Sequence, residues 1–167
     1  MRTAGYAIVM IVLTTLMTSP LSAADDPAEV ARAFFEKVWS EGDVELAHGI
    51  INADFQFHNP MIRIVGPTGP DLVTGRVEMI REAFPDYKIE VLDIFSEGPK
   101  VLVRWKAAGT HEGPLGGNEP TGKSMSYEGM TVLEIHNGQI YEEWTIDDFR
   151  SGLRQLGIES LQVRRQQ

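Results

Sequence analysis

The chain is predicted to fold as α+β, with N-terminal helices packed inside a strongly curved antiparallel sheet. Three observations predict it. Apolar residues recur at helical spacing between residues 27 and 84. Runs rich in Val and Ile, alternating imperfectly, fill residues 87–148. Asn137-Gly138 then stands between two of those runs, where a tight hairpin needs it. Helices followed by an antiparallel meander leave a sheet bent around its helices. The open end of such a cone is a natural ligand pocket.

Each element follows in order. Pro27 to Ser40 reads as an amphipathic helix through Val30, Phe34, Val38 and Trp39, with Ala31 and Phe35 widening the stripe. Asp25-Asp26 before Pro27 suits a helix start, and Gly42 ends it. Asp43 starts a second short helix through about Ile51. Ala53 to Asn59 is short, aromatic and extended, stopped by Pro60. Gly66-Pro67-Thr68-Gly69-Pro70 is a loop by composition, and Asp71 to Phe84 is a third helix stopped by Pro85. Strands are predicted over 87–97, 100–111, 123–136 and 139–148, with a Gly- and Pro-rich loop over 112–122. A short helix from Phe149 to Leu156 ends at Gly157.

Residues 1–24 read as a signal peptide rather than part of the fold. Arg2 supplies the positive charge, Gly5 to Met17 an almost unbroken apolar run, and Ser22-Ala23-Ala24 the small residues for cleavage after Ala24. The expected domain is 25–160, with a frayed tail over 161–167, and the expected location is periplasmic or secreted. Retention as an uncleaved anchor is the alternative. The formal net charge of −9 becomes −10 on cleavage, because the leader carries one Arg and no other charge. That balance argues against nucleic acid, and against any membrane contact beyond export. With no cysteine, a disulfide framework and a thiolate nucleophile are excluded.

Tyr141 to Asp148 is the most informative segment. Strict alternation puts Ile140, Glu142, Trp144, Ile146 and Asp148 on one face. A carboxylate on an apolar face resists ionisation and can trade protons near neutral pH. Asp148 is therefore the candidate acid/base, although Asp147 and Asp148 are equally placed to cap the next helix. His111 shares parity with Val101, Val103 and Trp105, at the edge of the flexible loop. It would line a pocket mouth or simply bond a carbonyl. His58 follows Phe55-Gln56-Phe57 and points either way, while His48 and His136 read as solvated. His58, His111, Glu142 and Asp148 show no metal-ligand spacing, so no metal is expected. No GxSxG or P-loop is present.

Together these segments resemble the SnoaL-like polyketide cyclase (ester cyclase) family, within the NTF2-like superfamily of cone-shaped α+β folds. The pieces are Phe34-Phe35-Glu36-Lys37-Val38-Trp39, Asp54-Phe55-Gln56-Phe57-His58-Asn59-Pro60, Val103-Arg104-Trp105, Gly109-Thr110-His111-Glu112-Gly113, and Gly138 to Trp144 followed by Asp148 and Gln155-Leu156-Gly157. The resemblance implies a cofactor-free intramolecular aldol condensation, with Asp148 at the family's acid/base position. His111 joins it as a catalytic candidate, and His58 positions the substrate carbonyls. Trp105 and Trp144 would wall a fused-ring substrate. Phe34, Trp39 and Glu142 complete the set expected to touch an apolar, carbonyl-bearing ligand. A homodimer through the outer face of the sheet is also implied. Glu134 departs from the pattern, since some family cyclases carry a pocket-facing basic residue there. Three readings stay open: a lyase or isomerase, an exported binding protein for a small apolar ligand, and a dimerisation module.

Overall fold

The computed structural model describes residues 26–60 and 68–161. The segment expected to be a signal peptide, and the tail beyond Leu161, lie outside the described residues.

Helix α1 (Pro27–Ala33) starts where Asp26 accepts the Ala28 N–H at 2.9 Å. It does not continue as a plain α-helix to Ser40. Residues Phe34–Trp39 form a π-helical stretch, and Phe34, Phe35, Val38 and Trp39 are all buried there. The Ser40 hydroxyl closes this stretch. It accepts the Ile89 N–H at 2.9 Å and lies within donating reach of the Phe35 and Ile89 carbonyls. Helix α2 (Val44–Ile50) is capped by Asp43, whose carboxylate accepts the Leu46 N–H at 2.8 Å. Helix α3 (Gly69–Ala83) begins two residues before the predicted start and buries Leu72, Val73, Val77 and Ile80.

Strands β1 (Ile51–His58), β2 (Lys88–Glu97), β3 (Lys100–Thr110), β4 (Ser124–His136) and β5 (Gln139–Asp147) form one open sheet in the order β1-β5-β4-β3-β2. β2 to β5 run as the antiparallel meander that was predicted. β1 corrects the all-antiparallel expectation, since it pairs with β5 in parallel. Asn137 and Gly138 both take positive φ (49° and 75°), which a two-residue hairpin turn with a right-handed twist requires. Helix α4 (Phe149–Leu156) ends at Gly157 with φ 81°.

The helices cover one face of the sheet, and that face is the core. Val101, Val103, Trp105 and Ala107 of β3 point into it, as do Met125, Tyr127, Leu133 and Ile135 of β4. Gly129 interrupts the inward row of β4. A Cβ there would overlap the Trp105 ring, so the missing side chain lets the indole lie across the strand.

Strand β5 departs from simple alternation. Glu134 pairs with Glu142, but Ile135 pairs with Ile140, so Tyr141 is an extra residue opposite the β4 ladder. This β-bulge shifts the phase of everything after it. Ile140 is inward, and the next inward residues are Glu143, Thr145 and Asp147, opposite Leu133, Thr131 and Gly129. Glu142, Trp144, Ile146 and Asp148 therefore share the outward face, and Ile140 alone leaves the predicted set.

Candidate functional site

The re-phased end of β5 carries an inward polar cluster. Glu143 and Thr145 are buried, and the Thr145 hydroxyl donates to Glu143 Oε1 at 2.8 Å. Thr131 and Thr145 hydroxyls meet at 2.8 Å, and the Trp105 indole N–H donates to Thr131 at 3.0 Å. A hydrogen-bonded chain thus crosses three strands from Trp105 to Glu143, fixing each side chain by its neighbour. On the helix side, Arg76 of α3 reaches Glu143 Oε2 at 3.5 Å. Its guanidinium lies 3.9 Å from the Phe57 ring centre and 5.0 Å from that of Trp39.

Asp147 stands at the end of this face, partly buried. Burial pushes its pKa up; the Phe149 N–H and the Arg76 charge oppose the rise, and the Asp148 charge adds to it. Its Oδ1 accepts the Phe149 N–H at 3.0 Å, which aims the carboxyl. Asp147 also bears electrostatically on two buried phenols, Tyr87 and Tyr127, whose hydroxyls meet at 2.8 Å. Burial raises the Tyr87 pKa to about 12 and that of Tyr127 well above its ordinary value, so both stay protonated. One O–H is spent across the pair and the other remains as a donor. The arrangement offers a proton acceptor poised by burial, an oxygen-bonding phenol pair and a nearby cation, all within aromatic walls.

Of the residues singled out in the sequence, Asp148, His58 and Trp144 border one groove, whereas His111 lies apart from it. Asp148 is exposed and caps α4, its Oδ1 accepting the Ser151 N–H at 3.1 Å. The capping role holds for both aspartates, and it is Asp147 whose carboxyl is desolvated. His111 is fully buried and packs on Phe84 with ring centres 5.4 Å apart. Its Nδ1 accepts the Thr121 N–H at 3.2 Å, and its Nε2 has no hydrogen-bond partner among the described residues. Burial lowers its pKa against a weaker pull from the Gly113 carbonyl, so it is held neutral. Trp105, Gly129 and Asp147 are level across the sheet, whereas His111 lies six residues further along β3. At a rise of about 3.3 Å per residue that is ~20 Å, out of reach of either aspartate. His111 ties the 111–123 loop to the core instead.

His58, Glu142 and Trp144 sit together on the outer face. His58 Nε2 lies 3.0 Å from Glu142 Oε2, and its ring stacks on Trp144 at 5.0 Å. Lys100 covers the same indole at 5.7 Å. His58 and Trp144 border an open groove of about 1350 Å³ that also takes in Leu102, Met130, Val132 and Ile146, with Asp147 and Asp148 at its edge. Of the predicted contact residues, only Trp39 and Trp105 touch the inward cluster, and Phe34 is core beneath Trp39. Sequence reasoning missed Asp147, Glu143, Arg76 and the tyrosine pair. The Asp147-Asp148 doublet was a signal, but only the bulge decides between its members.

A family model of SnoaL-like polyketide cyclases matches residues 29–156. Among curated proteins, aklanonic acid methyl ester cyclase DauD of Streptomyces sp. (strain C5) is 28% identical over 67% of this chain and 67% of its own length. Aklanonic acid methyl ester cyclase DnrD of Streptomyces peucetius is 30% identical over 60% of this chain and 66% of its own. Among solved structures, IdmH, a candidate polyketide cyclase from Streptomyces antibioticus, superposes with a TM-score of 0.68 at 27% identity, covering 80% of this chain and 99% of that one. A candidate polyketide cyclase from Acidithiobacillus ferrooxidans gives 0.70 at 27% identity, covering 80% and 96%. With this match over most of its length, and with the NTF2-like cone of those neighbours, the chain belongs to the SnoaL-like polyketide cyclase family.

Proposed function

We propose that the protein is a cofactor-free cyclase or isomerase acting on a polycyclic aromatic carbonyl compound, with Asp147 as its acid/base. One observation carries the reading: the carboxylate of Asp147 ends the inward row of β5 with its proton affinity raised by burial, near a protonated phenol pair. Asp147 would take a proton from a carbon flanked by carbonyls. The resulting enolate carbon would attack a ketone carbon of the same molecule, forming one C–C bond. The alkoxide would then recover the proton from Asp147, so that nothing is consumed. The spare phenol O–H and the charge of Arg76 would stabilise the negative oxygen as it forms.

The test is turnover of aklanonic acid methyl ester, and of the free acid, by wild type, Asp147→Asn and Asp148→Asn. Loss of cyclised product in Asp147→Asn alone supports the reading. Equal activity in wild type and Asp147→Asn overturns it. Ligand binding without turnover in any of the three would move the assignment to a binding protein for a small apolar ligand. Export is part of the same proposal, resting on the leader at residues 1–24, and mass spectrometry of secreted material would locate the cut after Ala24. So is a homodimer through the outer groove, where Met130 and Ile146 are exposed. Ile146→Asp should shift a dimer to monomer in sedimentation.

A further inference from the structure

Arg76 is under-used by the protein. A guanidinium has five N–H donors, yet among the described residues this one makes a single hydrogen bond, to Glu143 at 3.5 Å. Charge-assisted pairs of this kind normally close to about 2.7–2.9 Å. Glu143 is held elsewhere, because its other oxygen accepts the Thr145 hydroxyl at 2.8 Å and its side chain is only 4% exposed. The Arg76 side chain is 19% exposed, and its guanidinium lies against Phe57, which lines the same groove as Asp147. Phe57 and Trp39 lie against the guanidinium and fix its plane without using its donors.

We propose that Arg76 is a specificity-determining residue that docks a carboxylate of the ligand, so that this cone takes a free aromatic acid in preference to its ester. The inference rests on the ligand site assigned above. The planar fork matches a carboxylate by two parallel N–H···O bonds, a geometry that an ester cannot return with equal strength. The rings of Phe57 and Trp39 beside it give an aromatic acid a wall next to its charged end. Glu143 limits the preference, because it competes for the same cation.

Calorimetric titration with 2-naphthoate and methyl 2-naphthoate tests this on the purified protein. Wild type should bind the acid at least 10-fold more tightly than the ester. Arg76→Gln should erase that ratio, Arg76→Lys should keep part of it, and Glu143→Gln should widen it. Equal binding of acid and ester by wild type overturns the proposal, as does no binding of either probe, or a preference that survives Arg76→Gln in a protein with native near-ultraviolet dichroism. The wild-type comparison decides the matter even where a variant fails to fold. Should the probes bind alike while Asp147→Asn abolishes turnover, the acid/base reading stands and the carboxylate reading falls. The reverse pattern separates them the other way.

Discussion

Two carboxylate doublets on β5 invite comparison, Glu142-Glu143 near its start and Asp147-Asp148 at its end. In each, the two side chains are chemically alike and adjacent, yet they live on opposite faces. Glu142 is half-exposed and bonds His58, whereas Glu143 is buried and bonds Thr145. Asp148 is exposed and caps a helix, whereas Asp147 is partly buried with a raised pKa. What separates the members of each pair is phase, and phase is set by one extra residue at Tyr141. The chemistry of a carboxylate here is therefore decided by backbone register rather than by side-chain type.

The sharpest way to break this comparison is to neutralise each end aspartate in turn. Asp147→Asn should lower turnover by about 10²–10⁴-fold, the usual contribution of a positioned acid/base. Asp148→Asn should leave turnover near wild type. A matching loss from both would mean that the two faces are not distinct in function. Gly129→Ala comes next. The new methyl would collide with the Trp105 ring opposite Asp147, and overpacking of this kind costs about 1–3 kcal/mol, readable by chemical denaturation. Asp148→Ala removes an N-cap and should cost about 1 kcal/mol, with Asp148→Asn restoring most of it.

A pH series on the same pair sharpens the contrast. The folded state holds a proton on Asp147 more tightly than the unfolded chain does. Between the ordinary aspartate value and the raised one, the folded state binds more protons. Wild-type stability at this site is then greatest at low pH and falls as pH rises through that window. Asp147→Asn should therefore be more stable than wild type at neutral pH, with the advantage shrinking toward pH 4. Deleting Tyr141 should have the smallest effect. Without it, Ile140 and Glu143 still alternate onto the inner face, so a cooperative thermal transition should persist.

Much of the fold was legible because local signals agreed. Asn137-Gly138 called for a primed turn and took one, and Asp26, Asp43 and Gly157 stand at the helix ends that their types favour. The candidate site was less legible. A bulge has no residue signature as strong as a hairpin glycine, and strict period-2 counting from Ile140 carried the inference to Asp148 instead of Asp147. The parallel pairing of β1 with β5 likewise depends on tertiary packing, since nothing in Ala53 to Asn59 states a direction. Because β1 lies beside β5 at this register, Gln56 and His58 stand opposite Glu142 and Trp144, which turned His58 to the outer face. Trp105 was placed correctly inward because the alternation of β3 is unbroken there, and Trp39 is buried although it lies in the π-helical stretch.

The Ser40 hydroxyl has a consequence beyond closing the π-helical stretch. β2 is an edge of an open sheet, and an edge strand offers its free N–H and C=O groups to any passing chain. At Ile89 those groups face one serine, which accepts from the N–H at 2.9 Å and sits 3.2 Å from the carbonyl. A single side chain thus stands in for one rung of a missing neighbour strand. Ser40→Ala would leave that rung vacant, and edge-to-edge self-association on heating, followed by light scattering, is the behaviour to expect of it.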